Sequence, residues 1–245
     1  MSIENIGRFF NTGTALALGL IISSLILGMS YQNKKEGDES VQVTGAATKR
    51  IKSDLATWSA GLSYGAAELS TAYNRLSSNI PKVKKYLIDS GLSENEITVS
   101  SISSSTQYRM DKDGNETNEL IGYTLSQRIK VRSKKVDKVA KIARESTELI
   151  NEGILIDSND PSYYFTGLGD LKIEMLGEAS KNARVRAEQI ASNTGSTVGN
   201  IRSARMGVMQ ITAADSTDVS DYGINDTSTI HKDVTAVVKA NFAVK

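Results

Sequence analysis

The feature that most constrains the fold of this chain is a helix-length segment, Leu171 to Gly195, with a face of small side chains. Its apolar positions recur at spacings of three and four residues, which is a helical period. They are Leu176, Ala179, Ala183, Ala187 and Ile190. Because alanine lets a helix backbone lie close to its neighbour, we expect this helix to pack tightly on a sheet. Gly195 favours a left-handed C-cap after the last turn.

Composition and charge exclude several classes of protein. The 245 residues suffice for one large domain or two small ones. Lys+Arg of 29 and Asp+Glu of 28 give a net charge of +1, so we expect no nucleic-acid partner. The absence of cysteine excludes disulfides, thiolate nucleophiles, cysteine-bound metals and a lipid-modified N-terminal cysteine. The single histidine, His231, leaves little room for histidine-based metal or acid–base chemistry.

The N-terminal residues 9–33 carry no charge and include the apolar stretch Thr14–Met29. A spanning helix needs about 20 apolar residues, so this segment favours an uncleaved membrane helix. The alternative is a cleaved signal peptide with an apolar part of about 7–15 residues and cleavage near Ser30. Both interpretations put the body of the protein on the far side of a membrane. The predicted organisation is an anchor or signal segment (1–33), a polar stem (34–40) and one folded domain (41–245).

Alternating apolar residues predict the strands at the two ends of this domain. The last strand has the clearest pattern, since apolar residues alternate without interruption from Val234 to Val244. Val41–Gly45 predicts the first strand, and Leu55–Tyr64 predicts the second. Trp58 lies on the apolar face of the second strand, so we expect it in the core.

The middle of the domain contains a predicted hairpin and two more strands. Ile97–Met110 and residues 121–131 flank a turn signal at Asp111–Glu116. This pattern predicts a long antiparallel hairpin with one buried face. Ile154–Asp157 and Val198–Ile211 predict the two remaining strands.

Two more helices complete the order of elements. Apolar residues keep one helical phase from Leu69 to Leu87, which predicts a single helix that is kinked at Pro81 and ends at Gly91. Another helix is predicted from a cap at Ser133 to Gly153. The order β-β-α-β-β-α-β-α-β-β predicts an α+β fold, with a largely antiparallel sheet, helices packed on one side and a preceding N-terminal membrane helix.

Two acidic segments could bind a cation, but each has a simpler interpretation. Asp111, Asp113 and Gly114 lack the full spacing of a calcium loop, and Asp-Gly is a strong hairpin signal. The segment from Asp215 to Asp233 is rich in aspartate at irregular spacing, which favours a solvated loop over a calcium site. Its aspartates are Asp215, Asp218, Asp221, Asp226 and Asp233.

Two other segments could bind an organic ligand or a phosphate. The aromatic residues Tyr163, Tyr164 and Phe165 could stack a ligand, although such clusters more often pack in a core or an interface. Thr166–Asp170 places two glycines before a helix but lacks the third glycine of a dinucleotide site and the lysine of a P-loop, so it favours a plain helix start. Since no segment presents a complete site, we assign no catalytic, cofactor-binding or metal-binding residue and expect no cofactor.

The order of several short motifs resembles the SIMPL-domain family of bacterial envelope proteins. Val41–Gly45 resembles the opening strand of that family, and Leu87–Leu92 followed by Glu96–Thr98 resembles its first helix-to-strand passage. Ile121–Tyr123 followed by Val131 resembles its second hairpin strand. Five further pieces of this chain resemble the family's long alanine-rich helix and the turn after it. They are Asn182–Arg184, Ala187–Glu188, Ala191, Gly195 and Gly199.

This chain departs from the family pattern at three places. Ser53-Asp54 stands where the family often has Pro-Asp, and Asn151–Gly153 replaces a Gly-Ala-Asn segment. The Asp215–Asp233 loop is long. These departures affect loop contacts and leave the expected fold unchanged.

The resemblance implies a periplasmic or surface-exposed protein with no established enzymatic chemistry. It also implies possible roles in ring-like or channel-like oligomers or in stress tolerance, which different family members show. We therefore expect a non-enzymatic homo-oligomer or scaffold whose body lies in the periplasm, either anchored in the inner membrane through residues 9–33 or soluble after cleavage. The alternatives are a binding module for a small ligand, metal or cell-wall fragment, and a hydrolase, for which His231 is the only candidate histidine base.

Overall fold

The computed structural model describes residues 13, 16–29 and 39–245. Within them the chain has an α+β fold with antiparallel sheets and four α-helices. The helices are α1 (residues 16–29), α2 (Leu69–Asp89), α3 (Val136–Glu145) and α4 (Leu168–Asn193). The strands are β1 (Ser40–Lys52), β2 (Leu55–Ala66), β3 (Ile97–Val99), β4 (Ser103–Met110), β5 (Glu116–Ser133), β6 (Ile156–Ser158), β7 (Ser162–Tyr164), β8 (Val198–Met206), β9 (Gln210–Ala213) and β10 (His231–Val244).

Helix α1 is the described part of the predicted membrane segment, and its apolar side chains are exposed. No helix among the described residues is long and apolar enough to cross a membrane. The prediction of a spanning helix over residues 9–33 is therefore not supported by the part described. The rest of that segment, with the cleavage candidate Ser30, lies outside the described residues.

The chain divides into two units. The first unit contains the described residues up to residue 47 together with residues 176–207 and 236–245, and the second contains residues 48–175 and 208–235. The elements β1, α4 and β10 contribute residues to both. The strands form two antiparallel sheets instead of the single sheet that the sequence predicts.

The second unit is built on a six-stranded sheet in the order β3-β5-β2-β6, with β4 on β5 and β7 on β2. Strand β2 pairs with β5 from Ala56 opposite Ser133 to Ala66 opposite Tyr123. Alternate side chains of β2 form the centre of the core together with residues of α2 and α3. Trp58 is buried there, as predicted, and its Nε1 donates to Ser158 Oγ at 3.1 Å.

The two helices of this unit differ in how well their ends are predicted. Helix α2 continues through Pro81 as one helix, and Gly91 follows it with a φ of 92°. Helix α3 begins at Val136, and its N-cap is Lys135. The predicted cap at Ser133 is wrong because Ser133 lies two residues before the N-cap; its hydroxyl accepts from Lys135 N at 3.0 Å and donates to Glu96 at 2.6 Å in the turn before α3.

The predicted hairpin is formed by β4 and β5, with the turn held by Asp111. The Asp111 carboxylate accepts from the backbone N–H groups of Asp113 and Asn115, which lowers its pKa and explains the acidic residue at this position. The expected buried face begins only at Gly122, and Ile121 is exposed. The reason is that α2 covers the part of the hairpin near β2 and no described element covers its outer part.

The first unit contains strands β8 and β10 in antiparallel register, with β1 beside β10, and the alanine-rich part of α4. The buried row of α4 here has a strict four-residue spacing through Ala179, Ala183, Ala187 and Ala191. The predicted face is correct at its alanines and wrong at its two ends, since Leu176 and Ile190 are exposed.

The row of alanines lies against the backbone of β1 at Gly45. A β-carbon on Gly45 would overlap the carbonyl oxygen of Ala179 and the backbone of Ala183. Beside this contact, Ala46 N donates to the side-chain oxygen of Asn182 at 3.2 Å. The tight helix-on-sheet packing expected from the alanine face is therefore confirmed, and glycine on the strand is its second half.

We predict that Gly45→Ala lowers the free energy of unfolding by about 1–3 kcal/mol, because one methyl group forces two backbones apart. Urea denaturation of the full chain measures this change. Gly61→Ala in β2 is the matched control, since a β-carbon there meets only Asp157 side-chain atoms at 3.9 Å. Equal losses in the two variants would contradict the proposed contact.

Candidate functional site

The aspartate-rich segment between β9 and β10 is the first candidate, and the structure shows it fixed by protein contacts. Gln210 is buried in β9 and bridges the segment, since its Nε2 donates to Ser220 O at 2.7 Å and its Oε1 accepts from Ile224 N at 2.9 Å. Two backbone hydrogen bonds join Ile211 to Ile224 and Asp226. The segment is therefore a loop that hydrogen bonds join to β9, and residues 217–219 and 221–222 are exposed to solvent, as the sequence favours.

A buried ion pair holds the end of this loop. Lys232 is 2% exposed, and its Nζ donates to Asp226 O at 2.6 Å and to Asp226 Oδ2 at 2.8 Å. The Asp226 carboxylate also accepts from the backbone N–H and the hydroxyl of both Ser228 and Thr229. Burial raises the pKa of Asp226, but the hydrogen bonds from Lys232, Ser228 and Thr229 outweigh it and hold the pKa well below its usual value.

The other end of the loop is held by Arg50 of β1. Its Nε and one terminal nitrogen donate to Asp233 at 2.8 Å, and the same terminal nitrogen donates to Asp215 at 2.5 Å. Hydrogen bonding from Arg50 lowers the pKa of Asp233 to about 2. Because their carboxylates already have cationic partners, Asp215, Asp226 and Asp233 form structural links.

The structure gives no support to a metal site in this loop. Among the residues that it describes, no group of three or more His, Cys, Asp or Glu side chains could hold a metal ion. Asp218 accepts instead from Ser216, whose hydroxyl lies 2.9 Å away.

His231 is the first residue of β10, not a loop residue. Its backbone carbonyl accepts from Ala214 N at 3.1 Å and from Thr229 Oγ1 at 3.0 Å. Among the described residues, no hydrogen bond joins its imidazole to a serine hydroxyl or a carboxylate. The structure therefore does not bring together the triad that the hydrolase hypothesis requires.

The aromatic and glycine segments are separate features. Tyr163 is buried in the core, and Tyr164 is exposed on the same short strand. Thr166 donates to Asp54 from its backbone N–H at 2.8 Å and from its hydroxyl at 2.6 Å. These bonds fix the chain just before α4 begins at Leu168, which agrees with the plain helix start predicted from the two glycines.

The strand β4 and the groove beside it form a candidate interaction surface that the sequence analysis missed. Within the described residues β4 pairs only with β5, so its outer edge is open. The groove has a volume of about 840 Å³, and Ser104 of β4 lines it. Its exposed apolar lining comes from Leu69, Tyr73 and Ile102. The serine-rich composition of Ser103–Ser105 was the available signal, because it predicts a strand without an apolar face.

We predict that Asp226→Asn lowers the free energy of unfolding by about 3 kcal/mol, because it leaves a buried lysine without its charged partner. Chemical denaturation at pH 7 measures the loss. Asp218→Asn is the control in the same loop and should change stability by less than about 0.5 kcal/mol. A double variant with Lys232→Met should recover part of the loss; a double variant less stable than Asp226→Asn would contradict the buried-pair interpretation.

We also predict an acid-dependent loss of stability. The pKa values of Asp226 and Asp233 are lower in the folded chain than the usual 3.8, so the unfolded chain binds more protons in this pH range. Their stabilisation is complete above about pH 5 and is lost progressively as the pH falls through the folded-state pKa values. Thermal melting from pH 6 to pH 2.5 should show a shallower decline in Asp226→Asn than in the unchanged chain; parallel curves would disagree with this assignment.

A family model described as SIMPL, protein of unknown function (DUF541), matches residues 41–242. Comparison with curated proteins gave no match. The matched range begins in β1 and ends in β10, and it contains the motifs from Val41–Gly45 to Gly199 that carry the resemblance. The chain therefore belongs to the SIMPL family, whose function is unknown.

Proposed function

We propose that this protein is a non-enzymatic, exported envelope protein that associates with a second copy of itself through the outer edge of β4. The observation that carries this proposal is the open edge of β4, with exposed side chains from Ser103 to Gln107 and no charge among them. An unpaired strand edge presents backbone N–H and C=O groups to another strand. Charges, proline and short length usually protect such edges.

The other sheet edges are better protected than β4. Strand β1 carries Lys49, Arg50 and Lys52, and β8 carries Arg202 and Arg205. Strands β6 and β7 have three residues each, and Tyr163 N of β7 already donates to Thr227 O. Register irregularities against β5 occur only after Gln107, so the regular part of β4 is also its uncharged part.

The composition of β4 fits antiparallel pairing with itself. With Ser105 at the centre of the pair, Ser103 faces Gln107 and Ser104 faces Thr106 of the second copy. Such polar neutral pairs form favourable cross-strand contacts, and no like charges face each other. Ile102 and Met110 are exposed near opposite ends of β4. In the antiparallel pair, Ile102 of one copy lies near Met110 of the other, so the contact removes apolar surface from water.

Export and the absence of catalysis are parts of the same proposal. The exposed apolar side chains of α1 and the uncharged run of residues 9–33 support a targeting role for this segment and a body in the periplasm. The contacts of His231 are made by its backbone carbonyl, and its imidazole has no serine or carboxylate partner among the described residues, which favours a function performed by a surface. N-terminal sequencing of the protein extracted from membrane and periplasmic fractions tests the export step.

We predict that the full chain in mild detergent has a protein mass of twice 26.4 kDa or a multiple of it, and that Ser105→Lys shifts it to the monomer. The substitution places two ammonium groups opposite each other at the centre of the pair and costs little in an exposed strand. Light scattering coupled to size exclusion measures the mass over a range of protein concentrations.

Ser63→Lys is the matched control, because Ser63 is an exposed residue in the central strand β2, whose edges are already paired. It should leave the mass unchanged. A monomer at every concentration in the unchanged chain, or an oligomer that Ser105→Lys leaves intact, would refute association through β4.

A further inference from the structure

A basic cleft in the second unit lies between the turn that joins β1 to β2 and the first turns of α3. It has a volume of about 630 Å³, within the range of pockets that hold small organic ligands. Five lysines and one serine line the cleft, which are Lys52, Ser53, Lys134, Lys135, Lys138 and Lys141. Asp137 and Glu145 are the carboxylates that line it, so its side chains carry an excess of positive charge.

Ser53 gives the cleft a buried polar group. It is 3% exposed, and its Oγ is buried without a hydrogen-bond partner among the described residues. Its backbone N–H is satisfied by Ile230 O at 2.8 Å, so the unsatisfied group is the hydroxyl alone. A buried polar atom without a partner is unfavourable, and a ligand that accepts its hydrogen bond would remove this cost.

The N-terminus of α3 adds a second feature that favours an anion. Its N-cap, Lys135, makes no side-chain capping bond, and Val136, Asp137 and Lys138 of the first turn line the cleft. The backbone N–H groups of a first helical turn have no partner within their own helix. Together with the helix dipole they attract an anion to this end of α3.

The cleft remains positive when the ion pairs among the described residues are taken into account. Lys52 contacts Asp137 at 2.7 Å, and Lys141 contacts Glu145 at 3.7 Å. Lys135 donates to Gly91 O at 3.0 Å and contacts Glu96 at 3.3 Å, and Lys138 donates to Gly91 O at 3.4 Å. Lys135 and Lys138 share Gly91 O as an acceptor, and Lys52 and Lys141 each contact a carboxylate that lines the cleft, so these four side chains are held beside it.

We propose that this cleft binds a phosphate group carried on a small organic body. The phosphate oxygens accept from Ser53 Oγ, from the first-turn N–H groups of α3 and from the surrounding lysines. Tetrahedral phosphate presents several acceptor oxygens at once, which suits donors that converge from a helix end, a hydroxyl and ammonium groups. The remaining volume of the cleft holds the organic body.

The test uses the full chain in non-ionic detergent, with inorganic phosphate and glycerol 3-phosphate as probes and sodium chloride at equal ionic strength as the reference. Both probes should raise the melting temperature in a saturable way, because a ligand that binds only the folded state stabilises it. Isothermal titration gives the affinities. No saturable shift beyond that in chloride would overturn the proposal.

Ser53→Ala separates a ligand-binding role from a structural one. It removes an unsatisfied hydroxyl, so the free protein should be as stable as the unchanged chain or more stable. Its affinity for both probes should nevertheless fall about tenfold, as expected for a lost hydrogen bond to a charged group. An unchanged affinity in Ser53→Ala would refute the assignment.

Lys134→Gln tests the charge of the cleft, and Lys172→Gln on the exposed surface of α4 is its matched control. We expect weaker phosphate binding in the first variant and unchanged binding in the second; equal effects would indicate general charge attraction and reject the site. The two probes then test the organic body of the ligand. Tighter binding of glycerol 3-phosphate than of inorganic phosphate supports it, and equal or tighter binding of inorganic phosphate overturns it.

Discussion

The approach of α4 to β1 at Gly45 is the contact on which the first unit depends, because two backbones meet there without a side chain between them. Each half of the contact would be ordinary alone, a glycine in a strand or a row of alanines on a helix. Together they fix both the distance between the two elements and the position of the helix along the strand. The neighbouring bond from Ala46 to Asn182 joins residues 136 positions apart, so this geometry forms only when distant parts of the chain meet.

The ion pair of Lys232 and Asp226 gives the second unit a different kind of constraint. Lys232 occupies an inward position on β10, where its neighbours in alternation are buried apolar residues. A lysine there is tolerated only because the loop brings Asp226 to it, so the strand and the loop specify each other. Buried ion pairs contribute less to net stability than to the choice of one arrangement. This explains why an aspartate-rich loop can be ordered without a metal ion.

The periodicity of apolar residues predicted the helices and strands well, but it did not predict which other elements they contact. The alternation from Val234 to Val244 and the alanine row of α4 are local patterns, and both strand and helix were predicted correctly. The single sheet was wrong because the partners of each strand are set by contacts distant in sequence. Ser133 was misplaced because the sequence does not show at which residue a helix begins. Ile121 was misplaced because the sequence does not show whether another element covers an apolar side chain. The partners of Asp226 could have been suspected from Lys232, which interrupts the inward series of apolar side chains on β10. The edge of β4 had only the serine-rich composition of Ser103–Ser105 as a signal, and the unsatisfied hydroxyl of Ser53 had none, so the structure was needed to find it.

The length of β5 has a consequence for motion in the native protein. Near Ser133 this strand is held by β2 and by β3, whereas near Glu116 it is paired only with β4. The amide hydrogens of this one continuous strand therefore exchange with solvent by two different routes. Those near Ser133 exchange with solvent only when the whole unit unfolds, whereas those near the tip exchange through local opening that leaves the core intact. Pairing across β4 would slow the exchange at the tip, so the hairpin would report, by the lifetime of its amide protons, whether a neighbour has docked.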